Sequence, residues 1–433
     1  MQIIKTDENL VTSLERDITV HNNSNNIRLK VTLTDRAGNV TEYNNGEGVV
    51  FSIDKTQPQI EVVYLQNDAS NDKYYNKDRT AVITVTERNF DEEATNMQIQ
   101  ITNTDRAIPA YGTWTHGGET GTDRATHTCQ ITYAADGDYT FTMGTVDKAK
   151  NSAVYGKTDE FTIDQTKPEV SVSYSTDGLS NDIYYKSECV ATITVTEHNF
   201  NDAGMVITQT AELDGRSIPV PSGIRWSSSG DVHTATINYD TDGDYTLSVS
   251  GQDMALNELE AYTGTKFVVD RTEPEIEITD VDDMTAYNGT VAPGIAFNDI
   301  NCDADSVKIV LKGYEHEAQD LTGSLSRSAH GGSIRLPDFN HTADVDDVYT
   351  LTARVSDMAG NSKEVSKVFS VNRYGSNYIL GDDTQKLVND YYANQEEDLV
   401  IREINVSSLQ TEGITYSRDG EMVTLKEEED YDV

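Results

Sequence analysis

A motif written three times is the feature that most constrains how this chain can fold. "FSIDKTQP" (Phe51–Pro58) returns as "FTIDQTKP" (Phe161–Pro168) and as "FVVDRTEP" (Phe267–Pro274). The prolines of the three copies are 110 and 106 residues apart. A chain that repeats a motif at a nearly constant spacing folds as a row of similar units, each with its own core. The sequence therefore predicts an array of domains.

Two further markers recur in phase with this linker. The pattern D-x-A-x-N starts at Asp35, Asp147, Asp253 and Asp357, and "DGDYT" or its variant "DDVYT" starts at Asp136, Asp242 and Asp346. A fourth linker, "FSVNRYGS" from Phe369, has lost its proline. The markers predict the end of one unit in 1–52, full units in 53–163, 164–269 and 270–372, and the truncated start of a further β-rich domain in 373–433.

Within a unit, apolar residues alternate with threonine, glutamine or serine. "AVITVT" from Ala81 and "HTCQITY" from His127 show the pattern. A period of two is typical of strands with one buried face. About seven short strands in roughly 105 residues predict an immunoglobulin-like sandwich. The fold class predicted is all-β: tandem immunoglobulin-like β-sandwiches in an elongated array.

A tyrosine in each unit supports this prediction. In immunoglobulin-like sandwiches, a tyrosine near the start of strand F bonds back across the preceding corner. The residues in that position here are Tyr139, Tyr245 and Tyr349, each directly after an acidic turn. The position two residues later, a cysteine in antibody domains, holds Phe141, Leu247 or Leu351. The cores are therefore expected to form without a disulfide.

Composition excludes several classes of partner. The chain has 74 acidic and 33 basic residues, for a net charge of −41, so nucleic acid and anionic membranes repel it. Cys129, Cys189 and Cys302 are too few and too scattered for a disulfide framework or a zinc site. No apolar run approaches the roughly 20 residues of a membrane helix. "MQIIKTDENL" lacks the apolar core of a signal peptide, so any signal or anchor is expected outside this segment.

The markers resemble tandem bacterial Ig-like repeats of large Gram-positive cell-surface proteins. The residues that carry the resemblance are the linker, "DGDYT", D-x-A-G-N, and "YYNKDRTAVITVTERNF" (Tyr74–Phe90), which is nearly repeated at Tyr184–Phe200. The resemblance implies an extracellular chain at the bacterial cell surface, with neighbouring domains of the same chain as partners. It implies no catalytic residues. Lys–Asn isopeptide crosslinks also occur in such domains, but the sequence singles out no set of residues for one.

Carboxylates and amides are expected to meet where the units join. In an immunoglobulin-like sandwich the B–C and F–G loops lie at the end where the linker enters. The linker aspartate, the Glu-x-Asn or Asp-x-Asn of the B–C loop and the D-x-A-x-N turn should therefore converge. The residues are Asp54, Glu87, Asn89, Asp147 and Asn151 in the first full unit, Asp164, Glu197, Asn199, Asp253 and Asn257 in the second, and Asp270, Asp299, Asn301, Asp357 and Asn361 in the third.

Two interpretations of these residues stay open at the level of sequence. Oxygen ligands from several loops suit Ca²⁺, which takes six to eight of them, and calcium at the domain junctions would stiffen the array. Aspartate and asparagine are also good turn residues because their side chains bond nearby backbone N–H groups. An enzyme is disfavoured, because the residue inside the Glu-x-Asn or Asp-x-Asn changes from Arg88 to His198 to Ile300, whereas general acid–base catalysis needs one tuned group.

The function predicted is that of a non-catalytic stalk or spacer. Strands of six to eight residues suggest units of roughly 40 Å and an array on the order of 120 Å. One alternative is an adhesin that binds a host glycan or protein, with the predicted long loop of the third unit (Leu321–Ser333) as the binding surface. The other is an accessory region of a secreted carbohydrate-active enzyme.

Overall fold

A computed structural model describes residues 2–7, 10–15, 17–43, 49–65, 68–104, 106–375, 377–390, 392, 394–407 and 413–426. Within these residues it has 39 β-strands and one α-helix. The strands pair into separate sheets, two for each of the three full repeats. The structure is thus nearly all β, consistent with tandem immunoglobulin-like β-sandwiches.

The first full unit is a sandwich of two sheets. Its strands are β7 (Gln59–Tyr64), β8 (Tyr74–Tyr75), β9 (Arg79–Thr86), β10 (Asn96–Thr102), β11 (Thr115–Gly118), β12 (Ala125–Tyr133), β13 (Gly137–Val146), β14 (Ser152–Val154) and β15 (Asp159–Ile163). One sheet has the order β11-β12-β9-β7 and the other β10-β13-β15-β8, with β14 beside β13. In immunoglobulin letters these are sheets D-E-B-A and C-F-G-A′.

The second unit repeats this arrangement. Its strands are β16 (Glu169–Tyr174), β17 (Leu179–Asn181), β18 (Tyr184–Tyr185), β19 (Cys189–Thr196), β20 (Met205–Leu213), β21 (Arg216–Ser217), β22 (Ser227–Ser229), β23 (Val232–Tyr239), β24 (Gly243–Gly251), β25 (Tyr262–Thr263) and β26 (Phe267–Val269). The sheets run β16-β19-β23-β22 and β17-β18-β26-β24-β20-β21, with β25 beside β24. A short 3₁₀ turn, Asp202–Gly204, precedes β20.

The third unit has the same strand order, with longer strands in one sheet and shorter strands in the other. Its strands are β27 (Glu275–Thr279), β28 (Thr285–Tyr287), β29 (Gly294–Asn298), β30 (Cys302–Gly313), β31 (Gln319–Asp320), β32 (Ser326–Ser328), β33 (Gly331–Arg335), β34 (Asp347–Asp357) and β35 (Ser362–Val371). Its sheets run β27-β29-β33-β32 and β28-β35-β34-β30-β31. Short 3₁₀ turns lie at Thr322–Ser324 and Ala343–Val345.

Much of the long loop predicted at Leu321–Ser333 of the third unit is regular secondary structure, which corrects that prediction. Much of Leu321–Ser333 is occupied by a 3₁₀ turn, by β32 and by the start of β33, and the two strands pair antiparallel. The stretch is rich in serine and glycine, which is typical of loops. In the structure, its second half forms a hairpin at the edge of a sheet. Most of the stretch is therefore part of the sandwich.

The flanking segments form small pairs of strands. Before the first full unit lie β1 (Gln2–Asp7), β2 (Leu10–Glu15), β3 (Ser24–Leu29), β4 (Val31–Thr34), β5 (Val40–Tyr43) and β6 (Val49–Ile53), and after the third lie β36 (Asn377–Leu380), α1 (Asp382–Asp390), β37 (Ile401–Ile404), β38 (Thr415–Arg418) and β39 (Glu421–Thr424). The sequence did not predict α1. Residues 408–412 and 427–433, part of the predicted β-rich segment, lie outside the described residues. In the described part of the chain, no helix has the length and apolar character needed to cross a membrane.

The alternation seen in the sequence becomes burial. Along β9, every second side chain from Arg79 is buried and the others are half-buried, and β19 and β34 show nearly the same pattern. Each unit has its own buried cluster. Cys129 and Cys189 are buried core residues, and Cys302 packs partly buried against the third core. Each sandwich therefore has a separate thin core.

The three corner tyrosines make equivalent hydrogen bonds. The hydroxyl of each donates to the carbonyl oxygen four residues upstream, at 2.7 Å from Tyr139 to Ala135 and 2.8 Å from Tyr245 to Thr241. Tyr349 makes the same bond to Val345 at 2.8 Å. The rings are almost fully buried, so this bond satisfies a hydroxyl that would otherwise be costly to desolvate.

Candidate functional site

The aspartate of each linker is held by the B–C loop of the unit that follows it. The side-chain amide Nδ2 of Asn89 donates to Asp54 Oδ2 at 2.6 Å. The same bond recurs from Asn199 to Asp164 at 3.0 Å and from Asn301 to Asp270 at 2.9 Å. The backbone N–H of each of these asparagines donates to the acidic residue two positions earlier, at 2.7 to 2.8 Å. The Glu-x-Asn or Asp-x-Asn is thus a compact turn that presents its amide to the linker.

The D-x-A-x-N turn holds the linker from a second side. In the second unit, Asp253 accepts both the backbone N–H and the side-chain amide of Asn257, at 2.9 and 2.8 Å. The same amide donates to the backbone carbonyl of the linker residue Asp164 at 3.0 Å. The equivalents Asn151 and Asn361 reach the linker carbonyl at 3.2 and 2.9 Å. One asparagine therefore joins the F–G turn to the linker in every unit.

The fourth residue of this turn has a left-handed backbone, with φ of +75° at Lys150, +64° at Leu256 and +85° at Gly360. A residue with a Cβ is strained there, and glycine is not. We expect Lys150→Gly to stabilise the first full unit by about 1 kcal/mol, because Lys150 is exposed and loses little packing. Denaturant unfolding measures the change. Lys148→Gly, at an exposed position of ordinary backbone in the same turn, is the matched control and should give no gain.

The unit that precedes each linker also takes part. Asp136, in the E–F turn of the first full unit, accepts the backbone N–H of Gln165 at 3.0 Å and the hydroxyl of Thr166 at 2.5 Å. Asp242 of the second unit does the same for Arg271 and Thr272, at 2.9 and 2.5 Å. Each linker is therefore bonded to the units on both of its sides.

Sequence reasoning missed this half of the junction. The signal was present, because the first aspartate of "DGDYT" and the threonine of the linker recur at constant positions.

Variants of the contact between a linker and the preceding unit occur at the first and last linkers. Asn23 donates to Thr56 Oγ1 at 2.7 Å at the first linker, and Asp346 accepts the N–H groups of Arg373 and Tyr374, both at 2.7 Å, at the last.

Three carboxylates meet at each junction. We call these groups the junction triads; each has one oxygen per residue within 4.8 Å of the others, and they are Asp54–Glu87–Asp147, Asp164–Glu197–Asp253 and Asp270–Asp299–Asp357. All nine side chains are buried, with at most 8% of their surface exposed. The structure therefore brings together the acidic residues that the sequence proposed as a set. The six asparagines of that set donate hydrogen bonds to the carboxylates or to the linker carbonyls.

Burial raises the pKa of seven carboxyls in the triads. Desolvation is the main cause at Glu197, and the nearby charges of Asp164 and Asp253 add to it, so that its pKa rises to about 7. The pKa of Glu87 also rises to about 7, and those of Asp164 and Asp299 to about 6, again chiefly through desolvation. Desolvation raises the pKa of Asp253, Asp270 and Asp357 as well. Each triad is thus a place where negative charge is costly.

The variable residue inside the B–C turn is not a member of the junction triads. The guanidinium of Arg88 pairs with Asp123 at 2.8 Å, and the imidazole of His198 pairs with Asp231 at 2.9 Å. Ile300 in the third unit is 44% exposed. Arg88 and His198 thus each pair with an acidic residue beside the E strand, and the three positions share no reactive group that a catalytic role would require.

The family comparison decides the type of repeat. Residues 233–379 match the family model described as "Bacterial Ig-like domain (group 3)". This part of the chain is similar to bacterial Ig-like domains. The matched range takes in the last strands of the second unit and all of the third, and it confirms the resemblance to bacterial Ig-like repeats. No curated protein matches the chain at a significant level.

Solved structures similar to the chain include two fragments with several domains each. The titin I-band fragment I67–I69 is 12% identical with a TM-score of 0.34, and covers 73% of this chain and 99% of its own. The ICAM-5 D1–D4 ectodomain fragment is 9% identical with a TM-score of 0.38, and covers 85% of this chain and 97% of its own. The Ig-like fold assigned here follows from the family match and from the strand order of the sheets.

Proposed function

We propose that this chain is a non-catalytic spacer of a bacterial cell-surface protein, in which polar junctions hold successive Ig-like units at defined angles. The observation that carries the proposal is the junction itself, in which hydrogen bonds from the preceding E–F turn and from the following B–C and F–G loops hold one linker. The same set occurs at the linkers that begin with Asp164 and Asp270. A spacer needs this kind of joint, because freely jointed units would not hold a distal domain away from a surface.

The surface area of the chain supports an array rather than one compact body. Its accessible surface is 27382 Å² at 47.9 kDa. A compact monomer of that mass exposes about 16,000 Å². The excess is what separate units with thin cores produce, and the many acidic residues keep such a surface hydrated. Bacterial Ig-like domains are typically extracellular, which fits this role.

We further propose that each junction triad binds Ca²⁺. Calcium lies 2.3–2.6 Å from its oxygen ligands, so one ion placed between the three carboxylates can reach oxygens that are within 4.8 Å of one another. Carboxylate and amide or carbonyl oxygens are the donors that calcium prefers. Three buried carboxylates in contact are costly unless they share protons or bind a cation.

The second junction is also accessible to solvent. A groove of about 250 Å³ lies between the end of the first full unit and the start of the second. Five acidic side chains line it, namely Asp136, Asp138, Asp164, Glu197 and Asp231. An acidic groove of this kind concentrates cations next to the triad.

Small-angle scattering with and without calcium tests the spacer and its joints. We expect the chain to be elongated in millimolar Ca²⁺, and in EDTA we expect a broader distribution of interatomic distances, because the linkers lose their bound ions. Asp164→Asn and Asp270→Asn keep a similar side-chain shape but remove one charge from the second and third triads. In these variants the calcium response should shrink.

An unchanged distance distribution and an unchanged melting temperature in EDTA would show that the triads bind no calcium and only stabilise turns through hydrogen bonds. A compact particle in both solutions would contradict the spacer itself. A glycan array probed with the same chain tests the adhesin alternative, and saturable binding there would move the function from spacer to receptor.

A further inference from the structure

Two histidines face each other across the D–E hairpin of the first full unit. His116 on β11 and His127 on β12 are direct partners in the antiparallel register. Their Nδ1 atoms are 2.8 Å apart. His116 is exposed and His127 is half-buried, so the pair lies at the surface and is open to solvent on one side. The junction proposed above does not use either imidazole.

The orientation of His127 is set by the protein around it. Its Nε2 lies 2.8 Å from the backbone carbonyl oxygen of Glu87. A carbonyl can only accept, so Nε2 carries the proton. The Nδ1 of the neutral ring is then unprotonated and accepts a hydrogen bond from His116 Nδ1. The ring is also stacked on Phe90, with centroids 4.4 Å apart and planes 15° from parallel. An imidazole held through one N–H by a carbonyl, with the other nitrogen unprotonated, is the usual state of a metal-binding histidine.

The distance between the two nitrogens fits a shared metal ion. Metal–imidazole bonds are about 2.0–2.1 Å long, so two nitrogens at the right angle of a tetragonal Cu²⁺ or Ni²⁺ site are about 2.9 Å apart. Imidazole pairs favour Cu²⁺, Ni²⁺ and Zn²⁺, whereas oxygen-only sites favour Ca²⁺. We propose that His116 and His127 bind one divalent transition-metal ion through their Nδ1 atoms, with water completing its coordination. Neutral His116 moves its own proton to Nε2, so no oxidant or further reactant is needed.

The second unit provides an internal contrast. His233 is held in the same way, 2.8 Å from the carbonyl of Glu197 and stacked on Phe200 at 4.0 Å. Its cross-strand partner is Ser228, whose hydroxyl is 2.7 Å from His233 Nδ1. The second unit therefore has an imidazole equivalent to that of His127 but none equivalent to that of His116. It should bind a transition-metal ion more weakly.

The experiment uses the full chain without an affinity tag, near neutral pH and with millimolar Ca²⁺ present, so that calcium competes for the acidic triads. Calorimetric titration with Zn²⁺ and electron paramagnetic resonance after adding one equivalent of Cu²⁺ are the measurements. For the wild type we expect one tight site with two nitrogen ligands in the Cu²⁺ spectrum. His116→Ser, which copies the second unit, should weaken that site about tenfold or more.

The converse variant adds a gain of function. Ser228→His places a second imidazole opposite His233, and should create a second site of similar affinity. Both substitutions are at exposed positions of edge strands, and circular dichroism confirms that the fold is kept. Equal Zn²⁺ affinity in His116→Ser, a Cu²⁺ spectrum with fewer than two nitrogen ligands in the wild type, or no added site in Ser228→His would each overturn the proposal.

Discussion

Replacing Asn257 with alanine is expected to lower the free energy of unfolding of the second unit by about 3 kcal/mol. The amide of Asn257 donates to the buried carboxylate of Asp253 and to the linker carbonyl of Asp164. Without this amide, the carboxylate of Asp253 and the backbone carbonyl of Asp164 each lose a hydrogen-bond donor. Hydrogen bonds to charged groups contribute more to the free energy of unfolding than bonds between neutral groups. Denaturant-dependent hydrogen exchange, read on peptides from β24, measures the loss in this unit.

Asn39→Ala is the matched control. Asn39 occupies the same turn position in the first segment, where its amide donates to Asp35 at 2.7 Å. That turn is exposed, so water replaces the lost bond and the cost should stay below about 1 kcal/mol. Equal losses of unfolding free energy in the two variants would show that Asn257 stabilises only its own D-x-A-x-N turn and that its bond to the linker contributes little.

In EDTA, the second unit is expected to lose stability as the pH rises from about 5 to about 7.5. The pKa of Glu197 is about 7 and that of Asp164 about 6 in the folded chain, above the ordinary values of 4.5 and 3.8. A raised pKa means that the folded state keeps a proton that the unfolded state has released. The resulting stability is complete below the ordinary pKa and is lost as the pH passes the folded value. The expected loss is roughly 2 kcal/mol, since each unit of pKa is about 1.4 kcal/mol and the carboxyls keep some contact with water.

Calcium should abolish this loss, because the ion replaces the protons between the carboxylates. Denaturant-dependent hydrogen exchange at a series of pH values, in EDTA and in Ca²⁺, measures both effects. Peptides of the second unit are the reporter, since His316 in the third unit has a pKa raised by Asp347 and gives a loss of the same sign. Glu197→Gln keeps the shape and lacks the charge, so its stability should vary less with pH and respond less to calcium. A rise in stability between pH 5 and pH 7.5 in EDTA would contradict the shifted pKa values.

Much of the fold could be predicted because it depends on local patterns. The repeated linker shows that the chain is an array, and a period of two with turn residues at regular intervals predicts strands in a sandwich. The position of Tyr139, Tyr245 and Tyr349 after an acidic turn predicts the corner hydrogen bond. Even the convergence of linker, B–C loop and F–G turn follows from strand order, because a sandwich places those loops at one end.

The tertiary structure alone decided what those residues do when they meet. No pattern in the sequence shows that nine carboxylates are buried, because burial depends on how a linker packs between two units. For the same reason, Asp136 and Asp242 were seen as turn markers, and only their distance to the linker shows them as contacts. The stretch Leu321–Ser333 looked like a loop because edge strands of serine and glycine have no apolar period, and only pairing with a neighbour identifies them. By itself, the sequence determined the units and their order, since those depend on local periodicity. The chemistry of the joints depends on distances between residues about 30 to 100 positions apart, and those exist only in the folded chain.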